Sequence, residues 1–195
     1  MSKVFHIYPG DDQQCLEVAE SSKEFFRNES RRRSSGCWDL ADGASKRSTW
    51  KAIELFVPNP LDAPSDVYTF NANVLILEAN AKDILTPVIS SCSEVYEQPF
   101  DGRMYYVLNV MKYIPAPLGD DDFPNEGLFY DLKDAGSSLV RLPWGTIVAI
   151  SGVTPPELDF KLLVEKHNLK GLSFREVWDS ENYVPYVPPK EDKDE

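Results

Sequence analysis

The sequence is poor in the residue types from which most catalytic and metal sites are built. Its 195 residues include 2 histidines, 3 cysteines and 10 glycines. Neither the phosphate-binding pattern G-x-x-x-x-G-K-[ST] nor the dinucleotide-binding pattern G-x-G-x-x-G occurs, and no serine lies in a G-x-S-x-G elbow. These absences argue against a standard nucleotide-binding loop and against the familiar nucleophile of hydrolases.

The few cysteines and histidines are scattered along the chain. Cys15, Cys37 and Cys92 are odd in number, widely spaced and without a C-x-x-C pair, which argues against a disulfide framework and against a zinc site. We interpret them as small buried apolar side chains. His6 lies close to the chain start, and His167 lies at the predicted end of a helix, where the helix dipole favours a positive charge. We therefore predict no catalytic residue, metal or cofactor.

Long hydrophobic runs are also missing. The longest, such as residues 74–77, are the length of a strand and far short of the roughly 20 apolar residues that span a bilayer. The first residues run directly into Pro9 and Gly10 without an apolar signal core. We expect a cytoplasmic protein that does not enter a membrane.

Positive charge is scarce relative to negative charge. The chain carries 20 Lys and Arg against 32 Asp and Glu, a net charge of −12. Residues 1–100 contribute −5 (10 basic, 15 acidic) and residues 101–195 contribute −7 (10 basic, 17 acidic), so the acidity is not confined to one tail. Such a chain is a poor candidate for nucleic acid and suits a basic protein partner. The alternative is that the charge only maintains solubility.

What the sequence does contain is enough apolar material for a sizeable core: 42% of the residues are hydrophobic and 12% are aromatic. Apolar runs predict strands near residues 53, 74, 104, 128, 146 and 172, and helices near residues 81–90 and 156–167. We predict an α+β fold in which a few helices pack on a mixed or mostly antiparallel sheet.

One compact domain is expected, in three parts. Residues 1–66 form a less regular N-terminal region packed on the core, residues 67–182 form the α+β domain, and residues 183–195 form a proline-rich, charged tail.

Local signals suggest where the elements begin and end. Asn80 resembles a helix N-cap, and Pro87 should kink or end the helix that follows. Residues 98–102 read as a turn between that helix and the strand near 104. Residues 154–157 (Thr-Pro-Pro-Glu) predict a capping box, after which Leu158, Leu162 and Leu163 should face inward.

The most suggestive cluster of functional side chains lies in an acidic loop at residues 115–127. Three interpretations stay open: a contact surface for a basic partner, a hard-cation site, or a solvated loop. The D-x-[DN]-x-[DN]-G spacing of an EF-hand is absent, so no metal site is assigned. The candidate partner-binding residues are Asp120, Asp121, Asp122 and Glu126.

Between residues 72 and 178 the chain resembles a bacterial family first listed only as a domain of unknown function, now the eleventh family of immunity proteins of polymorphic toxin systems. The resemblance depends on three segments: residues 74–81 (VLILEANA), residues 105–110 (YYVLNV) and residues 169–178 (LKGLSFREVW). Pro87 and an acidic insertion at residues 119–127 depart from the family pattern. The resemblance implies a cytoplasmic antidote that binds a toxin, and it carries over no functional residues.

Three functional hypotheses follow. The first is a non-enzymatic immunity protein that binds and neutralises a cognate toxin or effector protein, which we expect to be basic. The second is an adaptor or structural component of a secretion or assembly system. The third is a metal-dependent hydrolase or nuclease that uses residues 120–122.

Overall fold

The computed structural model of the chain describes residues 2–11, 13–18, 45–48, 50–60, 62–70, 74–114, 132, 135–143 and 145–181. In chain order the elements within these ranges are β1 (Lys3–Pro9), β2 (Glu17–Val18), β3 (Leu55–Phe56), β4 (Val67–Phe70), β5 (Val74–Leu77), α1 (Ala79–Cys92), β6 (Ser93–Phe100), β7 (Arg103–Val110), β8 (Leu139–Arg141), β9 (Ile147–Ser151), a 3-10 helix (Pro156–Leu158), α2 (Phe160–Lys166) and β10 (Leu172–Asp179).

The strands form two four-stranded antiparallel sheets and a two-stranded ribbon. Sheet 1 has the order β10-β1-β9-β8, sheet 2 has the order β4-β5-β7-β6, and β2 pairs with β3. The prediction of an α+β, mostly antiparallel fold is therefore confirmed, although the strands divide between two sheets where one was expected. The predicted strand near residue 128 lies outside the described residues.

Apolar side chains fill three layers around the two sheets. The central layer combines one face of each sheet with the buried faces of α1 and α2, for example Leu77, Leu108 and Phe160. A second layer lies on the opposite face of sheet 2, under residues 50–57, which we call the covering segment. A third lies on the opposite face of sheet 1. Burial on both faces explains why β5 and β9 are continuous apolar runs and do not alternate.

Helix α1 continues through Pro87 to Cys92, so the helix does not end at this proline. Pro87 lies on the exposed side of the helix, and side chains on both sides of it, including Leu85 and Ile89, are buried in the central layer. Tertiary packing therefore maintains the helix despite the missing N–H group. The predicted cap at Asn80 is also wrong, because Glu78 occupies the N-cap position without a side-chain capping bond.

Strand β6 was not predicted. It begins at Ser93, directly after the last residue of α1, so no polar loop marks the change from helix to strand. The predicted turn at residues 98–102 is shorter than expected and consists of Asp101 and Gly102, whose φ angles are 46° and 71°. Two consecutive positive φ values are typical of the tight hairpin turns that join antiparallel strands. Pro99 is tolerated in β6 because β6 is an edge strand of sheet 2.

The predicted capping box at residues 154–157 does not form. Pro156 disfavours helical geometry at the residue before it, and Pro155 is extended, with ψ 159°. A 3-10 helix follows, and α2 is capped instead by Asp159, whose side chain accepts a hydrogen bond from the Leu162 backbone N–H at 3.0 Å. In α2, Leu163 is buried as predicted, whereas Leu162 is 42% exposed.

Strand β1 is the other element that the sequence did not reveal. It lies inside sheet 1, between β9 and β10, although the first 50 residues lack a clear strand pattern. Its apolar residues alternate between the layers, with Phe5 and Ile7 in the central layer and Val4 in the third. Two polar residues, Lys3 and His6, interrupt the pattern that would have marked it as a strand.

Glu94 on β6 holds the residues that precede the covering segment. Its carboxylate accepts hydrogen bonds from the Ser45 hydroxyl at 2.7 Å, from the Lys46 backbone N–H at 3.3 Å and from the Tyr96 hydroxyl. The hydrogen bond from Tyr96 contributes most, and together these bonds hold the pKa of Glu94 below its usual value. Trp50 stacks on the Tyr96 ring with 4.5 Å between the ring centroids.

The two sheets meet at a corner around Gly171. The Gly10 N–H donates to the Gly171 carbonyl at 2.9 Å, and the Val67 N–H donates to the Lys170 carbonyl at 3.0 Å. Gly171 has a φ of 106°, and a Cβ there would lie 2.0 Å from the Val67 carbonyl oxygen and 2.6 Å from the Ser65 Cβ. Only glycine fits this close approach of two backbones.

We expect Gly171→Ala to destabilise the protein by about 2–5 kcal/mol, because the methyl group combines backbone strain with a steric clash. The control is Gly102→Ala, where φ is also positive (71°) but nothing lies within 4 Å of the added Cβ. That change should cost about 1 kcal/mol. Urea unfolding of both variants measures the difference, and equal losses would contradict the role assigned to the corner.

We also expect Glu94→Gln to loosen the attachment of residues 45–47 and the covering segment. Because the folded-state pKa of Glu94 lies below the ordinary 4.5, its contribution to stability is present above pH 4.5 and is lost as the pH falls through the folded-state value. The variant should therefore show a weaker decline in unfolding free energy on acidification. Glu97→Gln, at an exposed position of the same strand, is the matched control and should leave that decline unchanged.

Candidate protein-binding surface

The acidic residues proposed from the sequence, Asp120, Asp121, Asp122 and Glu126, lie outside the described residues. Elsewhere, across the ranges that the structure describes, no group of three or more His, Cys, Asp or Glu side chains is placed to hold a metal ion. Among the described helices, none is long and apolar enough to cross a membrane.

The scattered cysteines and histidines do not come together in the described structure. Cys92 is buried in the central layer, and burial raises the pKa of its thiol. Cys15 is only partly buried, and Cys37 lies outside the described residues. His167 follows α2 at its C-cap, as the sequence predicts, and its side chain is exposed.

An open groove of about 680 Å³ lies between α2 and β10. One wall is α2, where Lys161, Val164 and Glu165 face the groove, and the other is formed by β10 from Leu172 to Glu176. Gly10, Asp11 and Gln13 also line the groove, together with the loop that follows α2. The groove thus runs beside the outermost strand of sheet 1.

The floor of the groove is aromatic. Phe5 and Phe174 meet edge to face with 6.5 Å between their centroids, and Phe160 contacts Phe174 from the central layer at 6.3 Å. The Lys161 ammonium lies over both floor rings, 4.8 Å from the Phe5 centroid and 5.7 Å from that of Phe174. These contacts and an ion pair with Glu165 fix the lysine against the wall of the groove.

The rim of the groove carries both signs of charge with one more carboxylate than ammonium. Its acidic residues are Asp11, Glu165 and Glu176, and its basic residues are Lys161 and Lys170. Both lysines have partners within the wall, since Lys161 pairs with Glu165 and the Lys170 ammonium donates to the Asn168 side chain at 2.9 Å.

The outer edge of β10 pairs with no strand in the described part of the chain. The Gly10 N–H donates to the Gly171 carbonyl, and hydrogen-bonded pairs alternate along an antiparallel ladder. Arg175 therefore directs its backbone groups toward β1. Phe174 and Glu176 direct their N–H and C=O groups outward, next to the groove.

Sequence reasoning missed this groove because its residues come from both ends of the described chain. Phe5 lies 169 positions before Phe174, and β1 was not predicted as a strand. The sequence predicts the strand near residue 172, but not that this strand lies at the edge of its sheet. The signal that could have indicated an edge strand is the alternation of apolar and polar residues along β10, which is typical of a strand with one face only half covered.

On the opposite face of sheet 1, His6 is partly buried beside Arg175 and Tyr8. Its Nε2 atom is buried without a hydrogen-bond partner, and Nδ1 lies 3.4 Å from the Tyr8 hydroxyl. Burial lowers the pKa of His6, and the nearby Arg175 guanidinium lowers it further. The imidazole is therefore held neutral near pH 7.

No protein-family model matches the chain, and no curated protein matches it.

The lowered pKa of His6 predicts a dependence of stability on pH. Because the folded state holds the proton less tightly than the unfolded state, the contribution of His6 is present above pH 6.5 and declines as the pH falls below that value. The decline cannot exceed about 1.4 kcal/mol per pH unit, the limit for one proton, and partial exposure makes it smaller.

We expect His6→Gln to reduce this decline between pH 7 and pH 5, as measured by urea unfolding across that range. His167→Gln is the matched control at an exposed site and should keep the His6 contribution. A wild-type pH dependence that survives the change at His6 would show that another group is responsible.

Proposed function

We propose that this chain is a non-enzymatic immunity protein that binds a bacterial toxin in the cytoplasm and neutralises it. The observation that carries the proposal is the groove between α2 and β10, an aromatic-floored surface beside an unpaired strand edge in the described structure. Surfaces that combine aromatic anchors, a charged rim and free backbone groups are typical of protein-binding sites.

The net charge of −12 supports a basic partner. Opposite potentials accelerate the encounter of two proteins and disfavour partners of the wrong sign. A toxin that acts on nucleic acid would itself need a basic surface to approach phosphate groups, so an acidic inhibitor would be attracted to the same surface. The acidic residues of the loop at 115–127 add to this potential wherever they lie.

The resemblance to the immunity family over residues 72–178 supports the proposal from the sequence. Two of its three segments form parts of the described core, since residues 74–77 are β5 and residues 105–110 lie in β7. The third contains the Gly171 corner and all but the last residue of β10, which is also one wall of the groove. The family likeness thus coincides with the element that carries the candidate surface.

The test uses the protein encoded by the neighbouring gene as the candidate toxin. We expect co-expression of this chain to restore the growth of cells that produce the toxin, and the purified pair to form a one-to-one complex with a Kd of about 1 μM or tighter. The association rate should fall as the salt concentration rises, because charge attraction assists the encounter.

An Asp120/Asp121/Asp122→Asn variant separates the contribution of the acidic loop from that of the groove. If it lowers the association rate, the loop contributes to recognition. If the rate is unchanged, the loop is only a solvated acidic segment. Failure of the wild-type chain to bind the neighbouring protein or to restore growth would contradict the proposed function, and stoichiometric recovery of secretion-apparatus proteins would favour the adaptor.

A further inference from the structure

We infer that the partner binds by strand addition: an extended segment of a basic partner protein lies along β10 as a fifth strand of sheet 1, with alternate side chains in the groove. This inference rests on the proposed function and specifies how the complex forms. The occupant is an extended peptide segment, because the outward backbone groups of β10, the Phe174 ring and the Glu176 carboxylate all belong to one edge strand beside the groove.

The backbone of β10 supplies the first part of the site. Phe174 and Glu176 direct N–H and C=O groups to the outer edge, and the eight residues of β10 span about 26 Å. A partner segment of similar length would satisfy these groups by main-chain hydrogen bonds, which give affinity without requiring a particular sequence.

The floor of the groove supplies the second part. On the side of the sheet that faces α2, Phe174 is only partly buried, while Phe5 beneath it is 8% exposed. A fifth strand would place every second side chain beside Phe174 and under the wall of α2. An apolar side chain at that position would complete the burial of the aromatic floor.

Charge selects the partner. The rim has three carboxylates and two ammonium groups. Glu165 pairs with Lys161 and Glu176 pairs with Lys3, whereas Asp11 has no ion-pair partner among the described residues. A Lys or Arg side chain of the added strand would share the Glu165 and Glu176 carboxylates with Lys161 and Lys3, and the net charge of −12 favours a basic segment over an acidic one. A second copy of this chain is disfavoured as the occupant, because two molecules that each carry a net charge of −12 repel each other.

The probe is an eight-residue peptide, acetylated at its N-terminus and amidated at its C-terminus. Every other residue is threonine, and the positions between are valine and lysine by turns (Thr-Val-Thr-Lys-Thr-Val-Thr-Lys). One control peptide has glutamate in place of each lysine. The other is N-methylated at the valine and lysine residues, which removes the N–H groups that would face β10 in an antiparallel pair and keeps the side chains. Binding is measured by calorimetry, and the amide resonances of Phe174 and Glu176 locate it.

The matched protein variants are Glu176→Pro and Glu176→Gln. Both remove the carboxylate, but only proline also removes the outward N–H group, and an edge strand tolerates that loss. The Lys3 ion pair at 2.8 Å is lost in both, so it does not distinguish them. If the proline variant does not fold, the N-methylated peptide tests the same hydrogen bonds on the wild-type protein.

We expect the basic peptide to bind with a Kd below about 1 mM and to shift the Phe174 and Glu176 amides. The N-methylated peptide and the Glu176→Pro variant should each weaken binding about tenfold, and the acidic peptide should bind at least as weakly. Glu176→Gln should cost less than Glu176→Pro.

Equal binding of the methylated and unmethylated peptides would overturn strand addition, as would shifts on another surface. Concentration-dependent dimerisation through the same amides would assign the edge to a second copy. If the peptide binds only after removal of residues 182–195, the edge of β10 would be assigned to the tail of the chain instead of to a partner. A Glu176→Pro variant that folds and still neutralises the toxin fully would refute the docking mode but leave the proposed function standing.

Discussion

Both four-stranded sheets carry buried apolar side chains on both of their faces, and much of the described structure follows from the need to cover them. The central layer covers one face of each sheet, with α1 and α2 filling the space between. The outer faces need covers of their own, which residues 50–57 provide for sheet 2. Because those residues form little regular structure, side-chain bonds such as those of Gln98 to the Ile53 backbone, at 2.8 and 2.9 Å, hold them in place.

The sequence predicts the fold class and the most apolar elements because burial on both faces leaves a strong local signal. Residues 74–77 and 147–150 are continuous apolar runs, and they are strands. The missed elements have physical reasons. β1 contains Lys3 and His6, β6 follows α1 without an intervening loop, and Asp159 replaces Thr154 as a cap because Pro156 keeps Pro155 extended.

The groove could not be predicted in the same way, since it depends on which distant strands pair. Phe5 and Phe174 meet only because β1 lies beside β10, and Lys161 reaches both rings only because α2 packs over that pair. A local pattern can show that β10 is a strand, but not that it is the last strand of its sheet. The acidic residues at 115–127 differ from the groove, because their charge is obvious in the sequence whereas they lie outside the described structure.

The pairing of β1 with β10 also sets the order in which the molecule can assemble. Sheet 2 is built from residues 67–110, so its strands can pair soon after they are synthesised. Sheet 1 joins Lys3 to Asp179, and its inner strand must wait for the last strand to leave the ribosome. During that interval the backbone groups of β1 that pair with β10 are free to meet wrong partners.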